Sequence, residues 1–142
     1  MHDSFVNFLL DVPVGQIEAF LKQKLQGDVH LEVVEQNRTS GTNFVRKVVI
    51  TANNLPVIRA TVSFDSSKLS EQILSELLRK NEGIGSILTQ NNITARRNVV
   101  SLESGSDGTV KRNYEIITNN TVLFYVSEEM LLANLLANKN SR

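Results

Sequence analysis

Residues 44–52 and 57–64 are two runs of alternating apolar side chains separated only by Asn53-Asn54-Leu55-Pro56, and this spacing constrains the fold more than any other feature of the chain. Asparagine tolerates the left-handed backbone of a tight hairpin, whereas a crossover helix needs about a dozen residues or more. The two runs are therefore predicted to be antiparallel neighbours in one sheet. Three further strands follow as a meander at 93–103, 109–118 and 121–128, with turns at Ser104-Gly105-Ser106-Asp107-Gly108 and Asn119-Asn120. A strand at 29–35, followed by a polar loop at 38–43, brings the total to about six.

Helices account for the rest. Asp3 and Ser4 are placed to cap a short helix carrying Phe5, Phe8 and Leu9, and Pro13 suits the first turn of a second. The second puts Ile17, Phe20, Leu21 and Leu25 on one face before Gly27 ends it. Ser66 or Ser67 caps a third, with Glu71 in its first turn and Leu69, Ile73, Leu77 and Leu78 facing inward. Gly83-Ile84-Gly85 interrupts before a short helix through Ile87 and Leu88, and a last helix at 129–138 carries Leu131, Leu132, Leu135 and Leu136. The expectation is one α+β domain over residues 1–142, with a mostly antiparallel sheet and helices between its two halves.

Composition removes several classes of function. The 15 Lys and Arg balance 15 Asp and Glu and are scattered, so no net field recruits nucleic acid or an acidic membrane. No cysteine is present to supply a thiolate, a disulfide or a zinc ligand. The two histidines, His2 and His30, cannot build a three-histidine metal centre. The N-terminus lacks a basic segment followed by a long apolar stretch, which predicts no signal peptide, no membrane span and a cytoplasmic location. Asn37-Arg38-Thr39 and Asn92-Ile93-Thr94 match the glycosylation pattern but read as chance without a secretory route.

Side chains alternate across a strand, and reading each strand by parity exposes three oddities. Arg46 shares a face with Phe44, Val48 and Ile50; Arg112 with Val110, Tyr114 and Ile116; Glu128 with Val122, Phe124 and Val126. A charge on an apolar face is costly unless an opposite charge answers it. Two accounts stand open: a structural arginine-glutamate pair or a register slip, or a pocket in which arginine grips a carboxylate and glutamate accepts a hydroxyl proton. Arg96-Arg97 sends at most one guanidinium inward, and Tyr114 and Tyr125 read as half-buried sheet aromatics. Gly83-Ile84-Gly85 lacks the third glycine of a dinucleotide loop and reads as a helix break.

The order of several short motifs resembles the chorismate pyruvate-lyase family and its uncharacterised microbial relatives. They are Leu9-Leu10-Asp11-Val12-Pro13-Val14, Val45-Arg46-Lys47-Val48-Val49, Leu55-Pro56-Val57-Ile58, Glu82-Gly83-Ile84-Gly85-Ser86-Ile87-Leu88 and Arg112-Asn113-Tyr114-Glu115-Ile116. The resemblance implies a chorismate lyase-like fold and cleavage of chorismate to 4-hydroxybenzoate and pyruvate, without metal or cofactor, in a pocket closed by two flaps. It puts the carboxylate-gripping arginine on Arg46, ligand-contacting apolar residues on Ile84 and Val14, and the essential glutamate on Glu128 in Val126-Ser127-Glu128. Arg112 or Arg97 would then hold the second carboxylate. This chain has Asn119-Asn120-Thr121 where the family shows glycine and proline, and its glutamate comes about two residues later, a shift that preserves parity. It also has Gly15 where threonine is common. The rival reading is a binding module like the UTRA effector-sensing domains of bacterial regulators, which share the architecture without turnover. No helix-turn-helix is expected before the domain, because only about two dozen residues precede the first strand. The expected partner is a small aromatic carboxylate rather than nucleic acid or membrane, with the protein a monomer or small homo-oligomer.

Overall fold

In the computed structural model, which describes residues 4–25, 27–105 and 107–140, paired asparagines close two tight hairpins. Asn53 and Asn54 take φ of 52° and 71°, and Asn119 and Asn120 take 49° and 62°, the left-handed pair that matches the twist of flanking strands. Six strands form one sheet: β1 (Val29–Ser40), β2 (Asn43–Ala52), β3 (Leu55–Asp65), β4 (Arg96–Ser104), β5 (Thr109–Thr118) and β6 (Thr121–Leu131). Their order is β1-β2-β3-β6-β5-β4, and every neighbouring pair is antiparallel. Helices α1 (Ser4–Leu10) and α2 (Ile17–Leu25) precede the sheet, α3 (Glu71–Leu78) and α4 (Ile84–Gln90) fall between its halves, and α5 (Leu132–Asn140) follows. The chain is thus the α+β architecture that its alternation predicts.

Several boundaries differ, each for a local reason. The polar stretch expected as a loop at 38–43 is mostly strand, because β1 pairs with β2 out to Ser40 and Asn43 across a Gly41-Thr42 turn. Pro13 lies ahead of α2 rather than in its first turn; its carbonyl accepts from Gln16 N, and Gly15 turns the chain at φ +92°. Ser70 caps α3, not Ser66 or Ser67, which Asp65 draws into a single 3-10 turn by accepting from Ser67 N at 3.0 Å. Strand β4 begins at Arg96 rather than 93, and β6 runs on to Leu131, displacing the start of the last helix from 129 to Leu132. Asp3, the other expected cap, and His2 lie outside the described residues.

All five helices pack on one face of the sheet, in two groups. Phe5, Val6 and Leu9 of α1, Leu21 and Leu25 of α2 and Leu135 of α5 cover the line Ile50, Ile58, Met130 and Val110. Ile73 and Leu77 of α3 and Ile84, Ile87 and Leu88 of α4 cover Val62, Phe64, Phe124 and Val126. Between these lines runs Val48, Ala60, Glu128 and Arg112, and the first three of these border a gap between the helix groups. The opposite face presents Lys47, Arg59, Ser127 and Lys111 to solvent.

The two helix groups meet over this gap through glycine. A Cβ built on Gly85, in the first turn of α4, would lie 2.4 Å from the Cα of Gly15 and 2.5 Å from its nitrogen. Alanine normally favours a helix over glycine. Here the sign reverses: Gly85→Ala is expected to destabilise the fold by ~1–3 kcal/mol through overpacking against backbone. Urea unfolding measures it, and a midpoint at or above wild type would show that the 14–16 segment gives way freely.

Candidate functional site

The gap encloses a cavity of about 100 Å³, floored by inner-face residues of β2, β3, β5 and β6 and roofed by the segments around Gly15 and Ile84. Arg46 projects into it from β2. Its side chain is 0% exposed, yet Nε, Nη1 and Nη2 all lack a hydrogen-bond partner among the described residues. Burial lowers its pKa to about 10, since desolvation penalises the cation, so the group remains charged at neutral pH. An unpaired charge among apolar groups costs several kcal/mol even after relaxation. That arrangement is suited to receiving an anion in two-toothed geometry.

The far side of the cavity holds a buried carboxylate and its donors. Glu128 Oε1 accepts from Arg112 Nε at 2.5 Å, and Oε2 accepts from the Tyr114 hydroxyl at 3.1 Å. Arg112 Nη1 donates to the Leu10 carbonyl at 2.8 Å, tying β5 to the end of α1. Arg97 Nη1 donates to the Val12 carbonyl at 2.7 Å, while its buried Nε has no partner among the described residues. Both guanidiniums lie against the Tyr114 ring, 4.7 Å from its centroid for Arg97 and 4.9 Å for Arg112, within cation-π reach. Burial, and then the Glu128 charge, push the Tyr114 phenol well above its ordinary pKa, so it stays a donor. The two accounts left open by parity are thus realised at different arginines: Arg112 forms the structural pair, and Arg46 stands unpaired.

Arg46, Glu128, Val14, Ile84 and Arg97 all line this one cavity. Arg112 is not on that lining: Glu128 holds its Nε and the Leu10 carbonyl its Nη1, while its buried Nη2 has no partner among the described residues. Of the adjacent pair, Arg97 points inward and Arg96 is exposed. The Asn119-Asn120 turn is a two-residue hairpin, and β6 carries a bulge at Leu123, where Ile116 faces Phe124 and Ile117 faces Val122. Beyond it Val126 and Glu128 both face the cavity. Sequence reasoning missed Tyr114, although its parity with Arg112 was the available signal, and Glu18 of α2, which also lines the cavity and carries no signal of its own.

The family described as "Chorismate pyruvate-lyase Rv2949c-like" matches residues 10–134. The chain belongs to this family. A relative from Methanocaldococcus jannaschii named "Putative lyase MJ0807" is 26% identical over 132 residues, covering 80% of this chain and 71% of the relative. The fold of this Rv2949c-like protein is shared more widely. The effector domain of PhnF from Mycobacterium smegmatis superposes with a TM-score of 0.61 at 8% identity, over 84% of this chain and 90% of that one. A GntR-family transcriptional regulator from Bacillus cereus gives 0.50 at 10% identity, over 73% and 92%. At such identities the likeness shows a common fold alone.

The two arginines predict opposite responses to losing charge. Arg46→Met removes an uncompensated buried cation and should stabilise the ligand-free protein by ~1–3 kcal/mol. Glu128→Gln strips Arg112 of its carboxylate and should destabilise by ~3 kcal/mol. Chemical denaturation of both variants checks this, and a destabilised Arg46→Met would mean that Arg46 has an internal partner.

Proposed function

We propose that this Rv2949c-like protein cleaves chorismate to 4-hydroxybenzoate and pyruvate. The observation that carries the reading is Arg46, wholly buried with three unpartnered nitrogens at the wall of an apolar cavity. Its guanidinium would hold the ring carboxylate in a bidentate grip. The buried Nε of Arg97, which has no partner among the described residues, would take the enolpyruvyl carboxylate. Val48, Ile58, Ala60 and Val62 would flank the ring and exclude water.

The reaction asks for little beyond orientation. The ether C–O bond breaks, the hydrogen on the adjacent ring carbon moves to the enolpyruvyl methylene, and the ring becomes aromatic as pyruvate leaves. Atoms and electrons balance without nucleophile or redox partner, so positioning and charge stabilisation supply most of the catalysis. Glu128, oriented by Arg112 on one oxygen and Tyr114 on the other, would engage the ring hydroxyl with its remaining lone pairs.

A second reading, a non-catalytic sensor of aromatic carboxylates, draws on the effector domain that shares 84% of the chain's length in fold. Incubation with chorismate, followed by chromatography for both products, separates the two. We expect stoichiometric 4-hydroxybenzoate and pyruvate. Arg46→Lys keeps the charge but loses the fork and should weaken 4-hydroxybenzoate binding by ~1–3 kcal/mol. Glu128→Gln should lower kcat ~100-fold with a smaller effect on binding. Wild-type protein that binds 4-hydroxybenzoate yet releases no pyruvate from chorismate would establish the sensor instead.

A further inference from the structure

The two buried arginines of the inner face differ in what the sheet sets beside them. Arg112 is register partner to Glu128 and bonds to it; Arg46 is register partner to Gln36 on β1 and bonds to nothing among the described residues. Gln36 is 7% exposed, and its amide nitrogen donates to the Leu77 carbonyl at the end of α3 at 3.0 Å, so its side chain lies on the helix-covered face with Arg46. Its Oε1 is buried without a partner. Directly opposed Cβ atoms in an antiparallel pair are about 5 Å apart, so the two side chains are neighbours on this face, with no hydrogen bond between them.

A bulge produces this neighbour. Val33 pairs with Val48, but the next register pair is Glu35 with Lys47, leaving Val34 unmatched and 60% exposed. Continuous pairing from Val33 would set Val34 opposite Lys47 and Glu35 opposite Arg46. With the extra residue, Glu35 turns to the solvent face, 3.7 Å from Lys47, and the uncharged Gln36 takes its place.

We propose that the Val34 bulge and Gln36 reserve Arg46 for an anionic ligand: the bulge diverts a carboxylate that would neutralise the arginine, and the uncharged Gln36 amide takes the neighbouring position without bonding to the guanidinium or cancelling its charge. Gln36 is a positioning residue, and its role in binding rests on the reading that Arg46 grips a carboxylate.

The test is a double-mutant cycle read in two ways. Gln36→Glu in the otherwise native protein should weaken 4-hydroxybenzoate binding at least ~10-fold, because an internal carboxylate then competes for Arg46. Gln36→Met, which keeps the volume and likewise leaves the charge of Arg46 uncancelled, should cost a smaller factor of about 3 at most. In the ligand-free protein, Gln36→Glu should lower the thermal midpoint by at least ~5 °C more in an Arg46→Met background than with Arg46 present. Equal thermal effects in both backgrounds, or unchanged affinity in Gln36→Glu, overturn the proposal. Thermal coupling in a wild-type protein that binds no 4-hydroxybenzoate would instead refute the aromatic-carboxylate reading while upholding the Gln36–Arg46 pairing.

Discussion

The antiparallel register that carries Val48, Ala60, Glu128 and Arg112 across four strands in one line sets the position of every group in the site. Apolar lines on either side are covered by separate groups of helices. The line between them holds the smallest side chain of its neighbourhood, Ala60, and a charged pair whose hydrogen-bonding is directional, so the core there stays open rather than collapsing. A slip of one residue in β6 would turn Val126, Glu128 and Met130 away from the helices and break the Arg112–Glu128 pair. The Arg112–Glu128 contact therefore acts as a register lock as well as a wall of the cavity.

The cavity combines two electrostatic conditions. Around Tyr114 the carboxylate is held by Arg112 and the phenol, and both guanidiniums lie against the ring. At Arg46 the charge is left open, at a cost in stability that a bound anion would offset by linkage. Such a division suits a small site, since one end fixes geometry while the other supplies the driving force for binding.

Most of the fold was legible because its signals are local. Alternation and paired asparagines define five of the strands, and parity alone turned Arg46, Arg112 and Glu128 inward as the structure has them. What parity cannot show is which of several inward charges meet, because that depends on pairing between β5 and β6 rather than on either strand by itself. Bulges defeat parity outright. Leu123 and Val34 each shift the alternation by one, and the second hid Gln36 in a segment whose polar residues resemble a loop. Val14 and Ile84 were found through resemblance, not through any pattern in their own segments, since short connections carry no periodicity.

The contact between Gly15 and Gly85 bears on how fast the cavity exchanges its contents. Two backbones touching without side chains bury little apolar area, and apolar area is what makes packed elements expensive to part, at about 25 cal/mol per Å². The segment from Val12 to Gln16 is also anchored to the sheet through the Arg97 bond to the Val12 carbonyl, outside the point of contact. Parting the two glycines therefore leaves the sheet ladder and both apolar clusters intact. Exchange with solvent is then a local event, with a rate set by one seam of backbone rather than by the stability of the whole molecule.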